Sequence, residues 1–227
     1  MNQFWYFENI NLFDLLCPHK FKSFADTHTF LHFKKNDFIY MEGDVAKKFY
    51  LISKGKVKIG FREESGEEIV TAYLKKGEIF GESVMLNQKT RKEFAQAVEN
   101  QTELCHVTLR QAEELMKGNN NFSVSIYKFI GYKFRKIERK YQIMLFRNTK
   151  TRAIEFIKEM MDDGFASQKL LNGEILVQNP YSQSEMAKLI GTSRSTFNLL
   201  INELQEDDFL LWEKGKILLK NKFLLEF

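Results

Sequence analysis

The 227 residues predict an α+β chain in three stretches: an N-terminal antiparallel β-barrel, one long helix, and a C-terminal helix-turn-helix with a wing. Three observations carry this. Between positions 29 and 109, short apolar or alternating runs are broken by glycine turns at regular spacing, as in a small antiparallel barrel. After Asn119 the period becomes helical and stays so as far as Arg147. Residues 183–204, QSEMAKLIGTSRSTFNLLINEL, set Ala187 and Gly191 four apart between two short capped apolar stretches.

The barrel elements follow in order. Phe38-Ile39-Tyr40 leads into Glu42-Gly43-Asp44, and the run 49–52 ends at Ser53-Lys54-Gly55. Val57-Lys58-Ile59 alternates, residues 64–67 form a hairpin tip, and residues 68–73 answer it. After the turn at Lys76-Gly77 come strands at 94–98 and 103–107. This first domain is expected over residues 1–118.

The second element is a helix over 119–147, opened by Asn119-Asn120-Asn121. Ile126, Ile130, Phe134, Ile137, Tyr141 and Met144 form an apolar stripe at heptad-like spacing. Such a stripe packs either on the barrel or on a second copy of the helix. A small barrel leaves little chain to cover so long a helix, which favours a dimer seam.

The third domain is expected over 148–227. A helix from Thr149 runs to Gly164, and Asn172-Gly173 makes a hairpin turn between residues 170–171 and 174–177. Ser182-Gln183-Ser184-Glu185 is a capping box opening a short helix, and Ser193 caps the next. Two apolar runs around Lys214-Gly215 supply the wing. A helical hairpin can be purely structural, but small residue, turn glycine, two caps and wing together point to DNA. Recognition helices present their N-terminal residues to base edges. Arg194, Ser195 and Asn198 are therefore the base readers, Arg194 suited to guanine and Asn198 to adenine. Ser182, Ser184, Ser193 and Thr196 suit phosphate oxygens, and Lys214 stands on the wing.

Composition bounds the rest. The net charge is +4, with 28% charged and 44% hydrophobic residues, a globular balance that permits nucleic-acid binding without requiring it. Residues 148–227 carry ten basic and twelve acidic side chains, so DNA affinity there depends on local placement. No run is apolar enough for a membrane helix, and the first residues lack the pattern of a secretory signal. Cys17 and Cys105 make no disulfide scaffold and, with four scattered histidines, no metal site, so a cytoplasmic, metal-free protein is expected. No nucleophile, base and orienting group assemble, so no catalytic residue is assigned.

The order barrel, long helix, winged helix-turn-helix, with Gly43-Asp44, Gly55, Gly77, Gly81-Glu82, Arg91 and SRSTFNLLINEL, resembles the cyclic-AMP receptor protein and FNR (CRP/FNR) family of bacterial transcription regulators over nearly the whole chain. The resemblance implies a cyclic-nucleotide-binding barrel of the double-stranded β-helix or jelly-roll type, and a long helix that dimerises. It implies two recognition helices on palindromic double-stranded DNA, with RNA polymerase as a further partner. It also implies an effector site at Gly81, Glu82, Ser83, Arg91 and Lys92. There the Glu accepts from a ribose hydroxyl and the Arg neutralises a phosphate. The sequence departs from the cyclic-AMP signature: Lys92 stands where Ser or Thr is usual, and Glu82 to Arg91 is one residue short. Ile137-Glu138 also replaces the polar pair that reads adenine. The implied effector is cyclic AMP or another small anionic molecule. On the recognition helix Arg194 matches the family, whereas Ser195 and Leu199 replace Glu and a second Arg. The competing reading is a cyclic-nucleotide-binding module that regulates a protein partner without touching DNA.

Overall fold

The structure, a computed structural model, describes residues 16–20, 29–162 and 167–227. Two compact units divide the chain, Met1–Phe134 and Arg135–Phe227, so the division falls inside the long helix and not at its two ends.

The first unit is built on strands whose burial alternates with the pleat. Its strands are β1 (Leu31–Phe33), β2 (Phe38–Tyr40), β3 (Lys48–Lys54), β4 (Lys56–Arg62), β5 (Glu68–Lys75), β6 (Ile79–Phe80), β7 (Phe94–Ala97) and β8 (Thr102–Thr108). They form two antiparallel four-stranded sheets, ordered β1-β8-β3-β6 and β2-β7-β4-β5, a jelly-roll-like pair and not one continuous closed barrel. Side chains from both sheets, among them Tyr40, Tyr50, Ile52, Val57, Phe80, Ala95 and Leu104, make the inner core.

Strand β3 is buried on both faces, which explains its unbroken apolar run. Tyr50 and Ile52 point inward, whereas Phe49 and Leu51 point outward into a second core. Helix α1 (Leu109–Gly118) and the start of α2 (Asn120–Leu145) cover that outer face with Ala112, Leu115, Phe122, Ile126 and Phe129. Each fully buried phenylalanine contributes roughly 1.5–3 kcal/mol of transfer free energy. The α1 start is a full capping box between Thr108 and Gln111. At α2, the Asn119 side chain accepts from the Phe122 N–H at 3.0 Å.

Two expectations change here. Ile126 belongs to this outer core at 3% exposure and so stands apart from the exposed stripe. The helix begins by packing on a sheet, and only its later turns leave their apolar side chains uncovered. Cys17 and Cys105 are also not independent thiols: they form a disulfide with a Cα–Cα distance of 6.3 Å, both buried in the same outer core. The fold brings residues 88 apart in sequence into contact, a proximity that spacing alone does not reveal.

The second unit starts with the last turns of α2 and continues through α3 (Thr149–Asp162), β9 (Ser167–Lys169), β10 (Ile175–Gln178), α4 (Gln183–Leu189), α5 (Arg194–Glu206), β11 (Leu210–Glu213), β12 (Lys216–Leu219) and α6 (Asn221–Glu226). The sheet order is β11-β12-β10-β9. Leu170 and Leu171 lie in the β9–β10 turn and not in a strand, with Leu171 fully exposed. Arg139 of α2 ties this unit together by pairing with Glu155 and Glu159 of α3, the latter at 3.2 Å. Burial pushes the Glu155 carboxyl upward, but hydrogen bonds and charge from Lys158 and Arg139 outweigh it and hold it below the usual range.

Candidate functional site

Helices α4 and α5 form the helix-turn-helix. Met186, Ala187 and Ile190 from the first and Phe197, Ile201 and Leu204 from the second are buried. The small Ala187 side chain allows the close crossing. Gly191 has φ +65°, a backbone conformation that calls for glycine, while the nearest atom to a Cβ there, the Met144 Cε at 2.8 Å, is the end of a flexible side chain that can give way. Phe197 packs edge-to-face on Trp212 of β11 at 5.8 Å, which joins the second helix to the wing.

The turn is braced by a residue that spacing did not single out. The Arg152 guanidinium on α3 donates from Nε to the Ile190 carbonyl at 2.8 Å and from Nη1 to the Phe146 carbonyl at 2.8 Å. Its Nη2 donates to Thr149 Oγ1 at 3.2 Å. One side chain thus holds the turn against the end of α2.

Both caps form. The Ser182 hydroxyl accepts from the Glu185 N–H at 3.2 Å, and the Glu185 carboxylate accepts from the Ser182 N–H at 2.7 Å. The Ser193 hydroxyl accepts from the Thr196 N–H at 3.1 Å and lies 2.8 Å from Ser195 Oγ and 2.9 Å from Thr196 Oγ1. These three hydroxyls form one cluster at the start of α5. Ser184 is half-buried.

A helix advances about 100° per residue. With Phe197, Ile201 and Leu204 buried, the opposite face of α5 carries Ser195, Leu199 and Asn202, all exposed. Arg194 is exposed at the N-terminal end, and Lys214 is exposed in the β11–β12 turn. Asn198 lies on the flank of the helix, about 100° round from Phe197: it is half-buried, and its Oδ1 is enclosed without a hydrogen-bond partner. Asn202, one turn further along, stands fully on the outward face. Counting turns from the first buried residue, Phe197, is the signal that finds it.

In the first unit, Arg91 lies against Gly81, with Glu82 and Ser83 next in the chain. Gly81 has φ +73°, and a Cβ there would meet Arg91 Nη1 at 2.8 Å. Arg91 is 3% exposed. Its Nη1 donates to the Gly81 carbonyl at 2.9 Å and its Nη2 to the Lys48 carbonyl, while the guanidinium stacks 4.3 Å above the Tyr40 ring. Its Nε is buried without a partner. Tyr50 and Phe80 stack beside it at 5.1 Å. Glu82 pairs with Lys133 of α2 at 2.9 Å. Lys92 points to solvent.

Glu93 accepts from the Tyr40 hydroxyl at 2.8 Å. Burial pushes the Glu93 carboxyl above its usual range, outweighing the hydrogen bond from Tyr40 that lowers it. Burial also raises the Tyr40 phenol, helped by the Glu93 charge.

The later part of α2 leaves Ile130, Phe134, Ile137, Tyr141 and Met144 exposed, with Tyr127 continuing the same row. Their spacing alternates three and four, so they line one seam. Among the described residues no group of three or more His, Cys, Asp or Glu is placed to hold a metal, and no helix is long and apolar enough to cross a membrane.

Known proteins match in the same two places. Residues 30–119 match the family described as "Cyclic nucleotide-binding domain", and residues 151–226 match "Crp-like helix-turn-helix domain". The chain is 27% identical over 186 residues to the global nitrogen regulator of Nostoc, covering 82% of each. It is 26% identical over 188 residues to the cyclic AMP receptor protein of Thermus thermophilus, covering 83% of this chain and 82% of that one. In fold it is similar to a CooA mutant from Carboxydothermus hydrogenoformans, with a TM-score of 0.77 and 21% identity over 96% of this chain and 95% of the other. The sheet pair falls within the first match and the helix-turn-helix with its wing within the second, with the long helix between them, and the chain belongs to the CRP/FNR family of DNA-binding transcription regulators.

Proposed function

We propose that the protein works in the cytoplasm as a homodimer that reads a palindromic operator and passes an effector signal to RNA polymerase. Two copies pair along the row Ile130, Phe134, Ile137, Tyr141 and Met144, and each presents one α5 to the major groove. Half-sites then lie about 34 Å apart along the duplex. Arg194 takes a guanine edge with Ser195 beside it on the base-facing side, while Ser182, Ser184, Ser193 and Thr196 hold backbone near the groove together with Lys214 from the wing. The supporting observation is the outward face of α5: exposed along its length and polar except for Leu199, opposite a fully buried face, and beginning at a capped N-terminus.

The effector is a small anion, with cyclic AMP the first compound to test. The Arg91 cation and the Gly81-Glu82-Ser83 backbone suit such a group. The carbonyls of Gly81 and Lys48 take one N–H each from Nη1 and Nη2 of Arg91, which leaves its Nε and further N–H groups for an anion, and Glu82 pairs with Lys133 through Oε1, which leaves Oε2 to accept from a ribose.

A gel shift of the purified chain against a random-sequence duplex library, with and without cyclic AMP, tests the DNA reading. Enrichment of a two-fold symmetric sequence is expected at moderate salt. Equal retention of all duplexes contradicts it.

A further inference from the structure

On the outward face of α5 one residue is out of character. Leu199 keeps 71% of its surface exposed, and its neighbours on that face, Ser195 one turn before and Asn202 one turn after, are polar and exposed. The nearby Glu203 is paired with Lys150 at 2.6 Å. The fold makes little use of this side chain, yet it stands midway along the face that meets base edges.

In the major groove only thymine offers a methyl group, whereas the other bases present donors and acceptors. A leucine laid against a polar edge strips water from it and returns no hydrogen bond. Against the thymine C5-methyl the same side chain buries apolar surface on both partners. Arg194 supplies its hydrogen bonds from the helix start and Asn198 lies on the flank with its Oδ1 enclosed, so at the middle of the outward face Leu199 is the apolar side chain placed for this contact.

We infer that Leu199 is a specificity-determining residue that selects thymine in each half-site by contact with its C5-methyl. This rests on the DNA-binding reading above and adds the chemistry of one base position to it.

The operator itself is obtained within the test. Duplexes are selected from a random library by the full-length protein, with and without cyclic AMP. Dissociation constants are then measured at fixed salt for the selected duplex and for versions carrying deoxyuridine in place of thymine, one symmetric pair of positions at a time. Deoxyuridine removes only the methyl. At one position the unaltered protein loses about fourfold in affinity per half-site, the equivalent of one buried methyl. Leu199→Ala, which removes an exposed side chain and keeps the thermal midpoint, binds the thymine duplex more weakly and loses nothing further with uracil there. Selection of a duplex whose affinity is unchanged by every uracil replacement overturns the inference alone, as does a full uracil penalty retained by Leu199→Ala. Failure to select any duplex overturns the DNA-binding reading and this inference with it.

Discussion

At the scale of single residues, function divides between side chains that are free to act and side chains already engaged. Arg194 is exposed at the start of α5, and the proposed contact with a base edge breaks no pairing among the described residues. Arg194→Ala is expected to narrow the preference for the selected duplex over competitor by about 1–3 kcal/mol, with the dimer intact. Equal weakening on both duplexes in a competition gel shift would mean that Arg194 holds only phosphate. Arg91 is engaged with two carbonyls and an aromatic face, a state that composition and spacing leave invisible. Beside it, Glu93 has a carboxyl raised by burial, so the folded state binds its proton more tightly than the unfolded chain does. Stability from this group is present at low pH and is lost as pH rises from the ordinary carboxylate value through the raised one. Glu93→Gln keeps an acceptor for Tyr40 and removes that loss. The difference in unfolding free energy between the variant and the parent is therefore expected to shift in the variant's favour as pH rises across that window, in denaturant titrations. A difference independent of pH would contradict it.

At the scale of elements, α2 performs two tasks along its length. Its first turns seal the outer core through Phe122, Ile126 and Phe129, and its later turns expose the Ile130-to-Met144 row. Ile137→Glu places a charge in the middle of that row without disturbing a buried residue. Sedimentation should show it as a monomer where the parent is a dimer, and a dimeric variant would remove the proposed seam. The Cys17–Cys105 disulfide closes a long loop onto β8. Reduction is expected to lower the unfolding free energy by about 2–4 kcal/mol, measured in denaturant with and without a thiol reductant. Identical curves, with the bond verified by mass in the oxidised sample, would contradict a stabilising role.

Much of this element layout was legible in the sequence because local rules govern it. The Ser182–Glu185 box, the Gly191 turn and the wing around Lys214-Gly215 all form as their spacing predicts. Helix α1 carried a readable signal too, the Thr108–Gln111 box, but with Ala112 and Leu115 as its buried residues it has little apolar stripe. The rest depends on tertiary contact. The disulfide, the Arg152 brace and the enclosure of the Asn198 Oδ1 each need partners distant in sequence, or a helix rotation set by packing. Ile126 matched the stripe in spacing yet entered the core, because a heptad count does not say where a helix leaves the sheet it covers.

At the scale of the whole molecule, a +4 chain has a DNA-binding domain with more acids than bases. On the proposed dimer, affinity comes from local placement of Arg194 and Lys214 and from two half-sites bound together, not from a broadly basic surface. An effector in the first unit acts on such a system by stabilising the form that binds it. If cyclic AMP is the effector, a concentration of 100 times Kd should add about 2.7 kcal/mol to stability, seen as a rise in thermal midpoint. No rise, with DNA binding retained, would direct the search to other anions. The central claim, that two copies read one palindrome, is tested most directly by sedimentation of the protein with its selected duplex. Two 26.9 kDa chains per duplex on the intact palindrome, with loss of stable binding when one half-site is scrambled, is the expected result. One chain per duplex, bound as tightly to a single half-site as to the palindrome, would contradict it.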